Sequence, residues 1–357
     1  MHMNKKAIAL FVAIAIFAAT LVSAFIVFSQ PKRKTLIVPE NYAMVSWALG
    51  NATAGDTVYV KSGTYNERSF SIDKPLSLIG EDKFNTILIG GVEGITGGGS
   101  TISVKTDNVT VSGFTIRSYD FKTPAWYFFG IYVGGDYCNI TGNIIENCQS
   151  GIWNGDPPKN VSSDIILKNT ISNNLEAGIE LDDSPHNIMI AENIVASNFL
   201  GLAVISGDSF VISENTVVNN GGGAYFGASD STIVGNNFTS NRNRDGVALN
   251  VAGSNNTFVY NYIADNVVGA TFSGSAANDN MFYNNDFINN NENTKITFTV
   301  YNETWDNGSV GNYWSDYTAK YPSAEEIDNT GIWNTPYVID ANNTDFYPRV
   351  KRAVIVS

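Results

Sequence analysis

NTISNNLEAGIELDDS, residues 169–184, holds three asparagines, an apolar alternation around Gly178 and two adjacent aspartates. It recurs. ITGNIIENCQSGIW from residue 140 precedes it within ILKNTISNNLEAGIEL from 166. IAENIVASNFLGLAV from 190, ISENTVVNNGGGAYF from 212, IVGNNFTSNRNRDGVAL from 233, FVYNYIADNVVGATF from 258 and FYNNDFINNNENTKI from 282 follow. The period is 21 to 26 residues, which is the signature of a repeat architecture.

Each column of the repeat has a physical reading. One holds Ile140, Ile166, Ile190, Ile212, Ile233, Phe258 and Phe282, and another, five residues on, holds Ile145, Ile171, Val195, Val217, Phe238, Ile263 and Phe287. β-Branched and aromatic residues on short alternating segments predict strands with one face inward. Between them runs an asparagine ladder: Asn143, Asn169, Asn193, Asn215, Asn236, Asn261 and Asn285. A second ladder follows at Asn174, Asn198, Asn220, Asn241, Asn266 and Asn290, headed by Cys148. Asparagine tolerates left-handed turns, and its amide bonds to the same amide one rung away. Glycines at 151, 178, 201, 223, 246 and 269 open the next strand. Short strands, fixed turns and identical side chains in register predict a single-stranded parallel β-helix. A β-propeller needs about 40 residues per blade and leucine-rich repeats a leucine consensus.

The ends differ. An open solenoid exposes apolar rungs and needs caps. ENYAMVSWALGNA (40–52) predicts a capping helix that carries Tyr42, Val45, Trp47, Ala48 and Leu49 and ends at Gly50, with the first strands in 55–65 and 74–82. Residues 307–357 break the period and are rich in tyrosine, tryptophan and proline, an irregular aromatic C-terminal cap. Residues 1–34 form an N-terminal apolar helix that acts as a signal anchor or a cleaved signal peptide. Its apolar run, residues 7–28, is long enough to span a membrane, and Val22-Ser23-Ala24 offers a cleavage site. Residues 35–306 make the β-helix with its N-terminal cap.

Both N-terminal readings export the chain, and nine Asn-x-Ser/Thr sequons agree with an extracellular or cell-surface location. A net charge of −13 excludes nucleic acid as a partner, since phosphate contacts need clustered lysine and arginine. Two cysteines, Cys138 and Cys148, make no disulfide framework.

GDTVYVKSGTY, LSLIGED, NVTVSGFTI and the Asn-x-Ile…Asn-x-x-Gly-Ile coils resemble the NosD-like, carbohydrate-binding and sugar-hydrolase repeat family. GNYWSDY, GIWNTPYVID and DFYP are similar to the C-terminal segment of its archaeal cell-surface members. The resemblance covers residues 37–350. It implies an all-β fold, the right-handed parallel β-helix of pectin-lyase-like solenoids. It leaves function open among copper-site assembly accessory proteins, polysaccharide epimerases and lyases, and surface proteins without known activity.

The residues narrow that choice. Copper needs soft or imidazole ligands. Beyond the anchor the chain offers His186, Met44, Met189, Met281 and two cysteines, and His186 and Met189 face opposite sides of a strand. Aligning the coils on glycine puts Tyr132, Trp153 and Glu180 in one column, with Tyr225 two rungs further on. Asp156 and Asp183 share another column, with Asp182 nearby. Neighbouring rungs would bring Asp156, Glu180, Asp182 and Asp183 together as catalytic carboxylates, or Asp156, Asp182 and Asp183 as a Ca²⁺ site. LDDS resembles the paired aspartates of β-helical glycosidases, but their histidine-glycine and arginine-lysine signatures are absent. Aspartates at polar turns are common without function. Tyr132, Trp153, Glu180 and Tyr225 predict a better site, an outward platform for sugar rings beside the inserted FKTPAWYFFG (121–130). The expectation is therefore an exported surface β-helix, tethered through residues 7–28, that binds or displays an envelope polysaccharide without catalysis and without a cofactor. A lyase or hydrolase, an envelope spacer and a copper accessory protein are the alternatives.

Overall fold

In a computed structural model, the described residues are 33–91, 99–119, 128–155, 161–242, 246–273, 277–296 and 302–353. The expected signal or anchor and Asp156 lie outside them. Among them no helix is long and apolar enough to cross a membrane. The unit that begins at Thr35 is a parallel β-helix of the right-handed type, the sense that parallel crossover connections take. Its strands stack into parallel sheets of 11, 10 and 11 strands, with each turn of the chain adding one strand to every sheet.

The two aliphatic columns are the inward rows of two of these sheets. Ile140 pairs with Ile166 in the first and Ile145 with Ile171 in the second. A further inward row belongs to the third sheet, where Ile131, Ile152, Ile179 and Leu202 follow one another rung by rung. All belong to one continuous buried core.

The ladders hold the corners. Asn215 donates from N and Nδ2 to Asn236 Oδ1, both at 2.9 Å, and from Nδ2 to Ile190 O at 2.8 Å. It accepts at Oδ1 from Asn193 N and Nδ2, both at 2.9 Å. The left-handed residue at each corner is not the ladder asparagine, as the sequence suggests, but the residue before it. Gly142, Lys168, Glu192, Glu214, Gly235 and Tyr260 take positive φ. The turning residue points outward and tolerates any side chain, whereas the ladder residue must point in and supply an amide. A third ladder escapes the sequence reading because its members vary. Cys138 N donates to Asp164, Phe210 N to Ser231, Ser231 N to Asn256 and Asn256 to Asn280.

The glycine column runs Gly130, Gly151, Gly178, Gly201 and Gly223 and then continues through Ala248 to Gly269. Gly246 stands outside it, with φ 64°. A Cβ at Gly201 would lie 2.5 Å from Gly223 O, so the chain passes this corner with no room for a side chain.

Asn215→Ala should lower stability by about 1–3 kcal/mol, because Asn193 loses its acceptor inside a closed corner. Thr232→Ala, at an exposed strand position, should cost a few tenths. Denaturant melts of both variants check this, and equal small losses would remove the ladder as a source of stability.

Both ends are covered. The helix Val45–Asn51 buries Val45, Ala48 and Leu49, while Trp47 is exposed and Tyr42 precedes the helix. Its free N–H groups at Val45 and Ser46 donate to the buried Glu67 carboxylate at 2.8 and 3.0 Å. The helix runs past Gly50, and a strand at Thr35–Val38 precedes it. At the C-terminal end aromatic rings continue the stack. Phe258 lies 4.3 Å from Phe282, Phe282 4.8 Å from Trp305, Phe287 4.5 Å from Trp314 and Trp314 4.2 Å from Tyr337, each near parallel.

Ladder polarity explains the acids in this cap. The Asn-to-Asn bonds run toward the C-terminus, while Nδ2 also reaches a carbonyl of the preceding rung, so the last rung presents N–H groups with no asparagine to follow, and a carboxyl group accepts them. Asn280 donates to Glu303, Asn312 N to Asp345, and Asn293 Nδ2 to Asp316.

Candidate functional site

The outward row of the third sheet carries the candidate residues. The register pairs Tyr132 with Trp153 and Trp153 with Glu180. Glu180 then pairs with Ala203 and Ala203 with Tyr225. Asn250, Thr271 and Lys295 follow, so the row contains a lysine, five rungs beyond Glu180.

Strand alternation sends these side chains outward, but the surface is not an open row of aromatics. Trp153 is half-buried, and Phe129, from the end of the inserted FKTPAWYFFG, stacks on it at 4.2 Å with the planes 13° apart. Tyr132 sits 5.5 Å from Trp153 and tilted by 46°. The insertion therefore contributes a ring to the site and covers part of it. Stacked aromatics of this kind form a firm apolar surface.

Three glycines set the tilt of the rings. In Tyr132-Val133-Gly134, Trp153-Asn154-Gly155 and Tyr225-Phe226-Gly227 the glycine lies two residues on, on the same face. A Cβ at Gly134 would meet the Tyr132 hydroxyl at 2.5 Å and one at Gly155 the Trp153 Nε1 at 2.6 Å, whereas one at Gly227 would first meet Ile205 O at 2.2 Å and the Tyr225 Cε1 only at 3.2 Å. Each ring lies down along its strand over a residue without a side chain. The aromatic-x-Gly spacing is visible in the sequence, but its meaning needs the strand direction.

Glu180 has a definite environment. Its Oε2 accepts from the Ser150 hydroxyl at 2.5 Å, and Ser150 is fully buried. Burial raises the Glu180 pKa, the Ser150 bond opposes this, and Glu176 and Asp182 add to the rise. A half-buried acid with a raised pKa beside a tryptophan is suited to hydrogen-bonding a sugar hydroxyl, or to general acid catalysis.

The aspartates of LDDS shape a turn. Asp182 N donates to Asn154 Oδ1 and Asp183 N to Asp182 Oδ1, each at 2.8 Å. Asp183 and Ser184 both take left-handed backbone, φ 58° and 57°. Among the described residues no three His, Cys, Asp or Glu side chains gather to hold a metal. Copper fits the described donors poorly. Cys138 and Cys148 are free, buried thiols that burial pushes up to about 12. His186 lies in a bridge between Ser162 and Asp208, and Met189, the first residue of a strand paired on both sides in the first sheet, is exposed.

A family model described as periplasmic copper-binding protein (NosD) matches residues 49–244 and 107–319. A cell surface glycoprotein of Methanothermus fervidus is 27% identical over 320 residues, which are 85% of this chain and 51% of that protein. The chain thus spans about half the length of the curated relative it matches. The Agl-KA catalytic domain superposes with a TM-score of 0.52 at 17% identity, over 72% of this chain and 59% of that one. A mannuronan C-5 epimerase A-module of Azotobacter vinelandii gives a TM-score of 0.44 at 12% identity, over 72% and 92%. At these identities the likeness concerns the fold alone.

Proposed function

The chain belongs to the NosD family, and on that premise we propose that it is an exported cell-surface β-helix that binds glycan on the outward face of its third sheet. The observation that carries this reading is the set of rings laid flat over Gly134, Gly155 and Gly227 beside the Glu180 carboxyl. Flat rings next to hydrogen-bonding groups match the alternately apolar and hydroxylated surface of a sugar chain. The acidic chain would repel uronates, so the ligand is a neutral polysaccharide.

Surface location draws support from the name of the Methanothermus fervidus relative and from the sequons. None of the ladder asparagines is a sequon residue, and Asn108, Asn255 and Asn302 are exposed, left-handed residues of one corner of the solenoid. Glycans attached there would leave the third-sheet face free. Residues 7–28 would tether the chain to the membrane, or be removed on export.

The second reading is a polysaccharide lyase or hydrolase, and the raised pKa of Glu180 favours it. Binding of neutral and uronate polysaccharides, measured beside release of reducing ends, separates the two. The expected result is binding of neutral chains without release. Release that Glu180→Gln abolishes would make the protein an enzyme, and no binding of any polysaccharide would leave an envelope spacer. Ca²⁺ is tested by melting: with LDDS as a polar turn, added Ca²⁺ should leave the transition unmoved. A rise that Asp183→Asn weakens would assign a cation to Asp156, Asp182 and Asp183.

A further inference from the structure

Three rungs beyond Trp153, about 14 Å along the axis at ~4.8 Å per rung, the same face dips into a hollow of about 340 Å³. Its walls are Phe199, Leu200, Ile205 and Val247. The glycine run of NNGGG also lines it: Gly221 and Gly222 have no side chains, and Gly222 is the register partner of Leu200. Phe199 and Ile205 are 47% and 40% exposed, an unusual level for large apolar residues that face each other across one depression.

Asn250 and Tyr225 are the polar side chains of this lining. Asn250 is the register partner of Tyr225, on the next rung of the outward row. Among the described residues, its Oδ1 is the one buried side-chain nitrogen or oxygen with no hydrogen-bond partner. The contrast with the corners is direct, since every ladder amide there is bonded to its neighbours. A buried carboxamide oxygen without a donor costs stability unless something supplies one.

We propose that this hollow is a subsite for an N-acetylated amino sugar, with the acetamido group paired to the Asn250 carboxamide. This rests on the glycan-binding reading of the same face. An acetamido group carries one N–H donor and one carbonyl acceptor, and the Asn250 carboxamide can pair with it once a turn about its Cβ–Cγ bond brings the sealed Oδ1 to the hollow. The acetamido methyl meets the apolar walls, which a bare hydroxyl would leave facing polar ring edges. The ring of the same sugar has Tyr225 beside it. An acyl chain would fill the walls but bring no donor. A carboxylate or phosphate would bring acceptors to an acceptor, in a hollow whose lining holds no cation.

The test compares two β-1,4-linked tetrasaccharides on the full chain by calorimetric titration, one of N-acetylglucosamine and one of glucose. They differ only at the 2-position. The N-acetylated chain should bind about tenfold tighter or more, the worth of one well-placed hydrogen bond and a buried methyl. Asn250→Leu keeps the branched shape of the side chain, removes the lone acceptor and should cancel that preference. Its melting temperature without ligand should equal or exceed that of the parent, which shows the fold intact. Equal affinity for the two chains in the parent, or a preference that survives Asn250→Leu, overturns the subsite and leaves the glycan-binding face standing. Failure of both chains and of every neutral polysaccharide overturns the face itself, and the subsite with it.

Discussion

Asp345→Ala should lower the stability of the protein by about 3 to 5 kcal/mol, through the loss of one acceptor shared by several donors. Asp345 is completely buried. Its Oδ2 accepts from Asn312 N at 2.7 Å and Trp314 Nε1 at 2.9 Å, and its Oδ1 from Tyr347 N at 3.0 Å. Asn312 in turn receives Asn285, so Asp345 ends the whole first ladder. Gly311 makes the approach feasible, since a Cβ there would lie 1.8 Å from Oδ1. Truncation leaves three N–H groups without an acceptor beneath the Trp314–Tyr337 stack. Loss of the cap would show as an early transition in tryptophan fluorescence during a denaturant melt.

The same carboxyl gives the cap a pH dependence. Burial pushes Asp345 up to about 7, against the three donors that pull it down. Glu303, at the end of the third ladder, is also pushed to about 7 by burial. A raised carboxyl holds a proton in the folded state that the unfolded chain releases near its ordinary value of about 4. Its contribution to stability is therefore complete below about pH 4 and is lost as the pH rises through about 7. The melting temperature should fall between pH 5 and pH 8, and Asp345→Asn should flatten that fall. A melting temperature that rises across the interval would mean that the donors outweigh burial.

The solenoid was legible because its constraints repeat. Inward positions such as Ile190 and Ile212 face the same neighbours on every turn, and an amide ladder works only if each rung has the same residue. Where a position is constrained differently on each rung, the pattern disappears. The third corner mixes Cys138, Asp164, Phe210, Ser231 and Asn256, because a backbone N–H there is satisfied by any side-chain oxygen. The left-handed residues Lys168, Glu192 and Tyr260 look unrelated because their side chains point to water. Gly246 and Ala248 show the limit of counting: a coil of irregular length shifted the glycine away from its column.

The site was legible as a row of residues and not as a surface. Glycine alignment is enough to bring Tyr132, Trp153 and Glu180 together. Phe129 stacks on Trp153 from an insertion that has no counterpart in the other coils, so no periodicity points to it. Asn250 is one asparagine among many in the sequence, and what distinguishes it is the lack of a partner, a property of the fold.

Trp153→Ala should remove most glycan binding, on the order of 1 to 3 kcal/mol, or roughly 5- to 150-fold in affinity. The indole is the largest ring of the face. It lies between Tyr132 and the Glu180 rung over Gly155, and Phe129 stacks on it and covers part of it, so it is held firm before any ligand arrives. Its removal should cost the fold only the stacking energy with Phe129, about 0.5 to 1.5 kcal/mol, since Trp153 is no part of the solenoid core. Gly155→Ala tests orientation with the ring retained. The new methyl would press on Nε1 at 2.6 Å and Cε2 at 2.8 Å, and the indole must lift from the strand. Binding should then fall by a similar factor while the melting temperature stays close to that of the parent. Tyr225→Ala should cost less with a short neutral oligosaccharide seated at Trp153, because Glu180 and Ala203 lie between the two rings along the row. Titration of the three variants with one neutral oligosaccharide measures all of this. Unchanged affinity in Trp153→Ala would show that the flat rings are packing and that the glycan, if one is bound, sits elsewhere.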